Sequence, residues 1–296
     1  MISSQSKIKK IILIGADGQL AFDINRVLKP TYKVIGLLQQ NLDITNNSQV
    51  KKVLKLKKPD LIINTAAYHK VEECELNLEK SFLVNTLGAY YVAKAASEIN
   101  AEIMFFSTDY VFDGNKKYYT EEDKPNPLNI YGASKLAGET LIKIANPKHY
   151  IIRTTGLFGI HRSGKGYNFV SLMLQLTKEK KEIKVVNDQF CSPTYTLDLA
   201  QKIKELIDRS ADFGIYHITN QGSCSWYELA KKTFELTGLW SNLKPITSSE
   251  HPSNVKRPKN SILINKNLKK IGIKPLRPWS KALEAYLKEI KESGLF

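Results

Sequence analysis

The stretch Ile11-Ile12-Leu13-Ile14-Gly15-Ala16-Asp17-Gly18-Gln19-Leu20-Ala21 decides the fold class of this chain. Four apolar residues in a row are typical of a short strand buried in a parallel sheet. Gly15 and Gly18 then form a turn into a helix, whose N-terminal backbone N–H groups can bind a pyrophosphate. An ordinary strand–helix turn can also contain two glycines, but the position after a first strand favours a dinucleotide-binding turn.

Strand and helix patterns alternate from this turn onward. In the first half we predict strands at Ile11–Ile14, Val34–Leu38, Leu61–Asn64, Ile103–Ser107 and Tyr150–Arg153, with helices running to Leu28, over Ser48–Leu56, over Glu79–Ile99 and over Tyr131–Ile144. In the second half we predict strands at Ile183–Val186 and Ile215–Ile218 and helices at Phe169–Lys180, Asp198–Ile207, Trp226–Thr237 and Ala282–Ile290, while Pro245–Pro258 has no clear period. This alternation is typical of a doubly wound α/β fold with a parallel sheet.

The composition is that of a globular protein. The chain has 296 residues, of which 42% are hydrophobic and 25% charged, and its formal net charge is +15. A strongly basic protein attracts anionic ligands and, with suitable motifs, nucleic acid. Because the lysines are spread along the chain and no nucleic-acid-binding motif accompanies them, we predict a lysine-rich surface and no nucleic-acid partner.

The cysteines and the apolar runs indicate the compartment. Cys74, Cys191 and Cys224 form no CxxC and no His–Cys ligand spacing, so we predict neither disulfides nor a bound metal. The start, Met1–Lys10, is polar and basic, and the apolar run after it is too short for a signal segment or a membrane span. These features predict a cytoplasmic protein without a membrane partner.

Tyr131 and Lys135 are the strongest candidates for chemistry in the chain. Four residues apart on a helix, they lie on the same face, one turn apart. A free phenol has a pKa of about 10, and a nearby ammonium lowers it. The pair is therefore a candidate general acid, although this spacing often occurs by chance.

Polar and small residues follow three further strands. Ala66 and Ala67 come after the third strand, where small side chains let a cofactor approach the sheet. Thr108 follows the fourth strand, and its hydroxyl would hold a substrate oxygen beside Tyr131 unless it serves only a local turn. Asp43 either lines an adenine site together with Ile44 or caps the next helix.

The end of the second strand bears on the choice of cofactor. An acidic residue there would bind the ribose of NAD, but the segment Leu37–Gln40 contains none. The segment leaves room for a 2′-phosphate, while Lys33 is the nearest cation. We therefore predict NADPH as the cofactor, with NADH as the alternative.

Taken together, several segments resemble the extended short-chain dehydrogenase/reductases and, more narrowly, the dTDP-4-dehydrorhamnose reductase family. They are GADGQLA, LDIT, PDLIINTAAY, STDYVFDG, PNPLNIYGASKLAGE, IIRTTGLFG, GKGYNFV, VVNDQFCSPTY, GIYHITNQG and RPKNS. The resemblance implies a Rossmann-type doubly wound parallel sheet with a smaller C-terminal substrate-binding lobe. The NAD(P)-binding domain would comprise residues 1–155, completed by parts of 183–220, and the nucleotide-sugar lobe most of 156–296.

The resemblance also implies an activity and a set of site residues. The reaction would be reduction of the 4-keto group of a nucleotide-linked 4-keto-6-deoxyhexose, giving dTDP-L-rhamnose or a related deoxysugar. Tyr131 would donate the proton, Lys135 would lower the tyrosine pKa and bind the nicotinamide ribose, and Thr108 would orient the substrate. The cofactor would contact Gly15, Gly18, Gln19, Leu20, Asp43, Ile44, Ala66, Ala67, Tyr68 and His69, and the substrate Thr108, Asp109, Gly156, Asn168 and Arg257.

Departures from the family pattern leave alternatives open. Gly156 stands where related reductases commonly carry a tryptophan that packs on the sugar, so the sugar and its C4 configuration stay undetermined. Two alternative functions are that of a non-catalytic regulatory subunit of this fold and that of a nucleotide-sugar epimerase or dehydratase. Dehydratases usually carry an Asp-Glu pair where this chain has Asp109 and Tyr110. The resemblance also allows a homodimer.

Overall fold

The strands of the protein form one large sheet and three small ones. This computed structural model describes residues 8–161, 164, 166–179, 182–239, 242–251 and 253–294. The strands are β1 (Lys10–Ile14), β2 (Lys33–Leu37), β3 (Leu61–Asn64), β4 (Glu102–Thr108), β5 (His149–Thr154), β6 (Leu157–Phe158), β7 (Glu182–Val186), β8 (Phe190–Cys191), β9 (Thr194–Tyr195), β10 (Gly214–His217), β11 (Cys224–Ser225) and β12 (Asn242–Ile246).

The large sheet has six parallel strands in the order β2-β1-β3-β4-β5-β10. The chain moves outward in one direction from β1 to β2 and in the other from β3 to β10, so the order reverses beside β1. Ile14 at the end of β1 pairs with Leu37 on one side and with Asn64 on the other. Ligands of such sheets bind at the carboxyl ends of the strands beside this reversal. The prediction of a doubly wound parallel sheet is confirmed.

The helices cover both faces of this sheet and also form much of the C-terminal half of the molecule. They are α1 (Gln19–Leu28), α2 (Asn47–Lys57), α3 (Val71–Leu76), α4 (Leu78–Phe82), α5 (Ala89–Glu98), α6 (Ile130–Ala145), α7 (Phe169–Glu179), α8 (Thr196–Asp208), α9 (Trp226–Thr237), α10 (Lys266–Lys270) and α11 (Trp279–Glu292). The predicted helix over Glu79–Ile99 is interrupted by a π-helical turn, Leu83–Gly88. Lys180, the predicted end of α7, lies outside the described residues, as does the start of the chain up to residue 7. Among the described residues, no helix has the length and apolarity to cross a membrane.

Alternation along β1 divides the core between the two faces. Ile11 and Leu13 pack with α1 and α8, whereas Ile12 and Ile14 pack with α2 and α5 on the opposite face. All four side chains are almost fully buried, and each contributes about 1.5 to 3 kcal/mol to folding. Because both faces are covered, the strand is apolar throughout.

The small sheets lie outside the main one. β7 pairs with β12 in parallel, β8 pairs with β11 antiparallel, and β6 pairs with β9 in parallel. Of the two strands predicted within 183–220, β10 joins the main sheet and β7 does not. β12 contains Pro245, in the stretch that showed no period, and a two-stranded sheet accepts proline because its strands are edge strands. The predicted domain boundaries stay a prediction.

Candidate active site

A cleft of about 1250 Å³ opens at the carboxyl end of the main sheet. Its walls come from the turn after β1, the ends of β3, β4 and β5, the first turns of α6, and the C-terminal half of the chain. Of the predicted site residues, those that line it are Gly18, Gln19, Leu20, Ala67, His69, Thr108, Asp109, Tyr131, Lys135, Gly156, Asn168 and Arg257. Segments far apart in the sequence therefore meet around one space.

The turn after β1 has a backbone that requires glycine at its first position. Gly15 has a φ of +75°, and a Cβ there would lie 2.9 Å from Oγ1 of Thr65. The Gly15 N–H donates to the Leu37 carbonyl at 2.9 Å, and the Gly18 N–H donates to the Gly15 carbonyl at 2.9 Å. These bonds hold the turn closed, so the N–H groups available to a ligand are those of the first turn of α1, beginning with Gln19.

The polar groups around this turn fit a dinucleotide. Within the described part of the chain, Nε2 of Gln19 and Oγ1 of Thr154 are buried and find no hydrogen-bond partner. A buried polar group without a partner costs about 1 to 3 kcal/mol. Both residues line the cleft, where phosphate or hydroxyl oxygens of a cofactor would satisfy them.

Asp43 and Ile44 do not line the cleft. Oδ1 of Asp43 accepts hydrogen bonds from the Thr45 N–H at 2.9 Å and from the Thr45 hydroxyl at 2.7 Å. The N-cap of α2 is Asn46, so Asp43 holds the preceding turn and does not cap the helix. Ile44 is buried, and a Cβ on Gly88 would lie 2.9 Å from its Cγ1. Contact of Asp43 or Ile44 with the adenine stays a prediction.

Asn85, which the sequence analysis missed, fixes the loop after β3. Its Oδ1 accepts from the Tyr68 N–H at 2.9 Å, while its Nδ2 donates to the Tyr68 carbonyl at 2.8 Å and to the Ser134 hydroxyl at 3.0 Å. The residue lies in the π-helical turn, and such turns are frequent at functional sites. A π-helical turn has no sequence signature, so no local pattern indicated this role.

Three further predicted cofactor residues, Gly15, Ala66 and Tyr68, lie in the turn after β1 and the loop after β3 and do not line the cleft.

Tyr131 is placed beside Thr108 at the base of the cleft. Asn129 caps α6 by accepting the Gly132 N–H at 2.8 Å. Burial raises the pKa of the Tyr131 phenol, the charge of Asp109 raises it further, and a hydrogen bond with the Thr108 hydroxyl lowers it. The predicted lowering of the Tyr131 pKa is wrong for this structure, because burial and the negative charge of Asp109 outweigh the effect of the Thr108 hydrogen bond.

Lys135 lies one turn further along α6 and is only 2% exposed. Its Nζ is 3.9 Å from the centroid of the Phe105 ring, a cation–π contact. Burial lowers the pKa of Lys135 to about 7, and the negative charge of Glu139 opposes that lowering. The charge of Lys135 is therefore sensitive to its surroundings near neutral pH.

Asp109, which lines the cleft, is held by three hydroxyl groups. It accepts hydrogen bonds from Thr108 at 3.0 Å, from Thr155 at 2.7 Å and from Ser261. Burial raises the pKa of its carboxyl group. Thr155 and Ser261 were not singled out from the sequence, although both stand in segments that carried the family resemblance.

Gly156 has a φ of +56°, and a Cβ there would lie 3.2 Å from Cα of Pro193. A tryptophan at this position would need a left-handed backbone that L side chains rarely adopt. Glycine therefore permits the left-handed backbone conformation at this position. It also leaves this part of the cleft without an aromatic side chain.

The two remaining predicted substrate residues differ in their contacts. Asn168 caps the start of α7 by accepting the Ser171 N–H at 3.0 Å, and its Nδ2 donates to the Gly159 carbonyl at 3.0 Å and the Tyr286 hydroxyl at 3.2 Å. These contacts favour a structural role, so substrate binding by Asn168 stays a prediction that its contacts disfavour. Arg257 enters the cleft wall, where Glu72 and Ser253 hold its guanidinium.

The side chains that could bind a metal ion are dispersed. Among the residues that the structure describes, no three His, Cys, Asp or Glu side chains come together in a suitable group. In the same part of the chain, the cleft lining combines hydroxyls and amides with two histidines, four carboxylates (Glu72, Asp109, Asp113 and Asp188), Arg257 and four lysines (Lys135, Lys184, Lys256 and Lys259). The lysines and the arginine suit an organic anion.

Comparison with known proteins gives consistent matches over nearly the whole chain. The spore coat polysaccharide biosynthesis protein SpsK of Bacillus subtilis (strain 168) is 40% identical over 95% of this chain and 97% of its own. The dTDP-4-dehydrorhamnose reductase of Aggregatibacter actinomycetemcomitans is 37% identical over 93% of this chain and 97% of its own. A crystal structure of dTDP-4-dehydrorhamnose reductase from Bacillus anthracis str. Ames in complex with NADP is 40% identical, with a TM-score of 0.91, covering 95% of this chain and 99% of that one.

A family model described as RmlD substrate binding domain matches residues 9–292. The match includes the turn after β1, the end of β4 and the first turns of α6, which all line the cleft. The chain therefore belongs to the RmlD substrate binding domain family.

Proposed function

We propose that this protein reduces the 4-keto group of a nucleotide-linked 4-keto-6-deoxyhexose, with NADPH as the cofactor and NADH as the alternative. The observation that carries the proposal is the meeting of Thr108, Tyr131 and Lys135 in the cleft that also contains the turn after β1. Relatives named dTDP-4-dehydrorhamnose reductase and a similar structure in complex with NADP support it.

Three side chains of the cleft have separate roles in the proposed reaction. NADPH, when bound, supplies the hydride. A phenol has an ordinary pKa of about 10 and is protonated at neutral pH, so Oη of Tyr131 can give its proton to the alkoxide that develops at C4 of the sugar. The Thr108 hydroxyl, which hydrogen-bonds Tyr131, orients the reacting oxygen. Lys135 holds the ribose hydroxyls of the cofactor.

The cofactor and substrate lie on different walls of the cleft in this proposal. The first turn of α1, with Gln19 and Leu20, faces the pyrophosphate of the cofactor, where the positive end of the helix dipole favours an anion. Asp109 faces the sugar, and Arg257 faces the anionic diphosphate of the substrate. Gly156 leaves space beside the sugar.

The experiment that tests this function uses the purified protein, NADPH and a panel of nucleotide 4-keto-6-deoxy sugars. Loss of NADPH absorbance with at least one sugar, and isolation of the corresponding hydroxyl sugar, is the expected result. Tight NADPH binding without turnover of any sugar would favour a regulatory subunit, and interconversion of sugars without net NADPH consumption would favour an epimerase.

Two broader expectations also stay part of the proposal. A cytoplasmic location is supported by Cys74, Cys191 and Cys224, which are buried and form no disulfide. A homodimer is supported by Leu83 and Leu87, which lie one turn apart and expose apolar side chains. Light scattering at several protein concentrations measures the oligomeric state, and a constant monomer mass would contradict the dimer.

A further inference from the structure

A buried ion pair behind Lys135 has no part in the mechanism described above. Nε of Arg153 donates to Oε1 of Glu139 at 2.9 Å, and NH2 of Arg153 donates to Oε2 at 2.7 Å. The two side chains are 2% and 0% exposed. The Ser107 hydroxyl donates to the same carboxylate. Because burying an ion pair often gives no more stability than apolar packing, this pair calls for a role beyond stability.

The position of Glu139 suggests that role. It lies four residues after Lys135 on α6, so both side chains project from the same face of the helix, one turn apart. Two bonds from Arg153 and one from Ser107 hold the carboxylate at a fixed position. Phe105 of β4 packs against the Lys135 ammonium and offers it no negative charge. Glu139 is therefore the neighbour that can compensate the buried cation.

Other groups also lie around Tyr131 and the ion pair. They are Asp109 and Tyr110 from the turn after β4, Cys74 from α3, and the neutral Asn85 and Thr86 from the π-helical turn. The charge of Asp109 acts on Tyr131 and Tyr110. Burial lowers the pKa of His217, which lies beside Arg153, to about 3, so this histidine is neutral. Against the burial of Lys135, it is Glu139 that raises the lysine pKa.

We propose that Glu139, held by Arg153 and Ser107, is a positioning residue that keeps the Lys135 ammonium charged inside the protein. The inference rests on the proposed function, because the charged lysine is the form that binds the cofactor ribose. The positive charge of Arg153 partly neutralises the Glu139 carboxylate and so limits how strongly that carboxylate stabilises the Lys135 ammonium. The two members of the ion pair therefore have opposite effects on the lysine.

Opposite effects allow a sharp test with two variants. Both NADPH affinity and turnover are measured against pH in Glu139→Gln and Arg153→Gln. Loss of the carboxylate lowers the pKa of Lys135, so the pH at which NADPH binding weakens moves down by about one unit. Loss of the guanidinium leaves the carboxylate uncompensated, so the same midpoint moves up.

Two further variants keep the test decisive. Where a single variant fails to fold, the double variant Glu139→Gln/Arg153→Gln leaves neither charge unpaired, and its midpoint is expected below that of the wild type. Asp198→Asn is the matched control, because Asp198 forms a similar two-bond pair with Arg277 away from the cleft. It is expected to lose stability without moving the midpoint.

The outcomes separate this inference from the proposed function. Midpoints that stay in place, or that move in the same direction in both single variants, would overturn the role of Glu139 and leave a structural pair. A wild-type protein that binds NADPH but reduces no sugar would contradict the proposed reaction, while the pH dependence of NADPH binding would still decide the role of Glu139.

Discussion

At the scale of single residues, the phenol oxygen of Tyr131 is the atom on which the proposed chemistry depends. Tyr131→Phe removes that oxygen and keeps the ring that packs edge-on against Tyr110 at 6.2 Å. We expect turnover to fall at least about a hundredfold, the usual contribution of a general acid, while the Kd for NADPH changes little. Steady-state kinetics and NADPH fluorescence measure the two quantities.

The control for this substitution is Tyr150→Phe. Tyr150 is buried in β5 outside the cleft, and its hydroxyl donates to the Ala211 carbonyl at 2.7 Å. Loss of that bond is expected to cost about 1 kcal/mol of stability and to leave turnover unchanged. Near-normal turnover in Tyr131→Phe would rule out the proposed proton donor.

The buried charge of Lys135 serves the proposed function but is expected to destabilise the fold. Lys135→Met keeps an unbranched side chain and removes the charged amine, so we expect turnover and NADPH affinity both to fall. Because the pKa of Lys135 is about 7 in the folded protein and 10.5 when unperturbed, the buried charge destabilises the fold most below about pH 7. That cost declines as the pH rises toward 10.5, where the folded lysine is already neutral.

The stability of Lys135→Met tests this reasoning. We expect the variant to be about 1 to 2 kcal/mol more stable than the wild type near neutral pH, with a smaller difference near pH 10. Urea unfolding at the two pH values measures the difference. A variant that is less stable than the wild type at neutral pH, or that binds NADPH normally, would contradict the assignment.

At the scale of elements, the position of α6 against the π-helical turn places Tyr131 and Lys135, the two proposed catalytic side chains. A Cβ on Gly138 would overlap the Asn85 carbonyl oxygen. Gly138→Ala should therefore push the helix outward and destabilise the protein by about 1 to 3 kcal/mol, with a fall in kcat. Thermal unfolding and kinetics check both effects.

Thr140→Ala provides the comparison on the same helix. Thr140 is exposed, so its replacement is expected to change stability by no more than about 0.5 kcal/mol and to leave kcat unchanged. If Gly138→Ala behaved like Thr140→Ala, close packing of α6 on the π-helical turn would not determine the position of Tyr131 and Lys135.

At the scale of the whole molecule, the net charge of +15 raises the question of nucleic acid. Many lysines are engaged on the surface by carboxylates, as in the pairs Lys204–Asp208, Lys244–Glu182 and Lys281–Glu284. We expect a labelled DNA duplex to bind with a Kd weaker than about 1 μM at physiological salt. Fluorescence anisotropy at two salt concentrations measures this, and tighter, salt-resistant binding would refute the expectation.

The amino-acid sequence by itself determined the class of the sheet and supplied the main candidates for catalytic side chains. Buried strands, glycine turns and helix periods are local patterns, so β1, the turn after it and α6 were predicted from residues that lie close together in the chain. Tyr131 and Lys135 were found for the same reason, since one helical turn joins them.

Only the tertiary structure decided which distant segments meet and how their charges behave. The pairing of β7 with β12, the bonds of Asn85, and the ion pair between Glu139 and Arg153 join residues on different elements. The direction of the Tyr131 pKa shift also depended on the fold, because the burial of the phenol and the nearby charge of Asp109 come from elements that are distant from Tyr131 in the sequence.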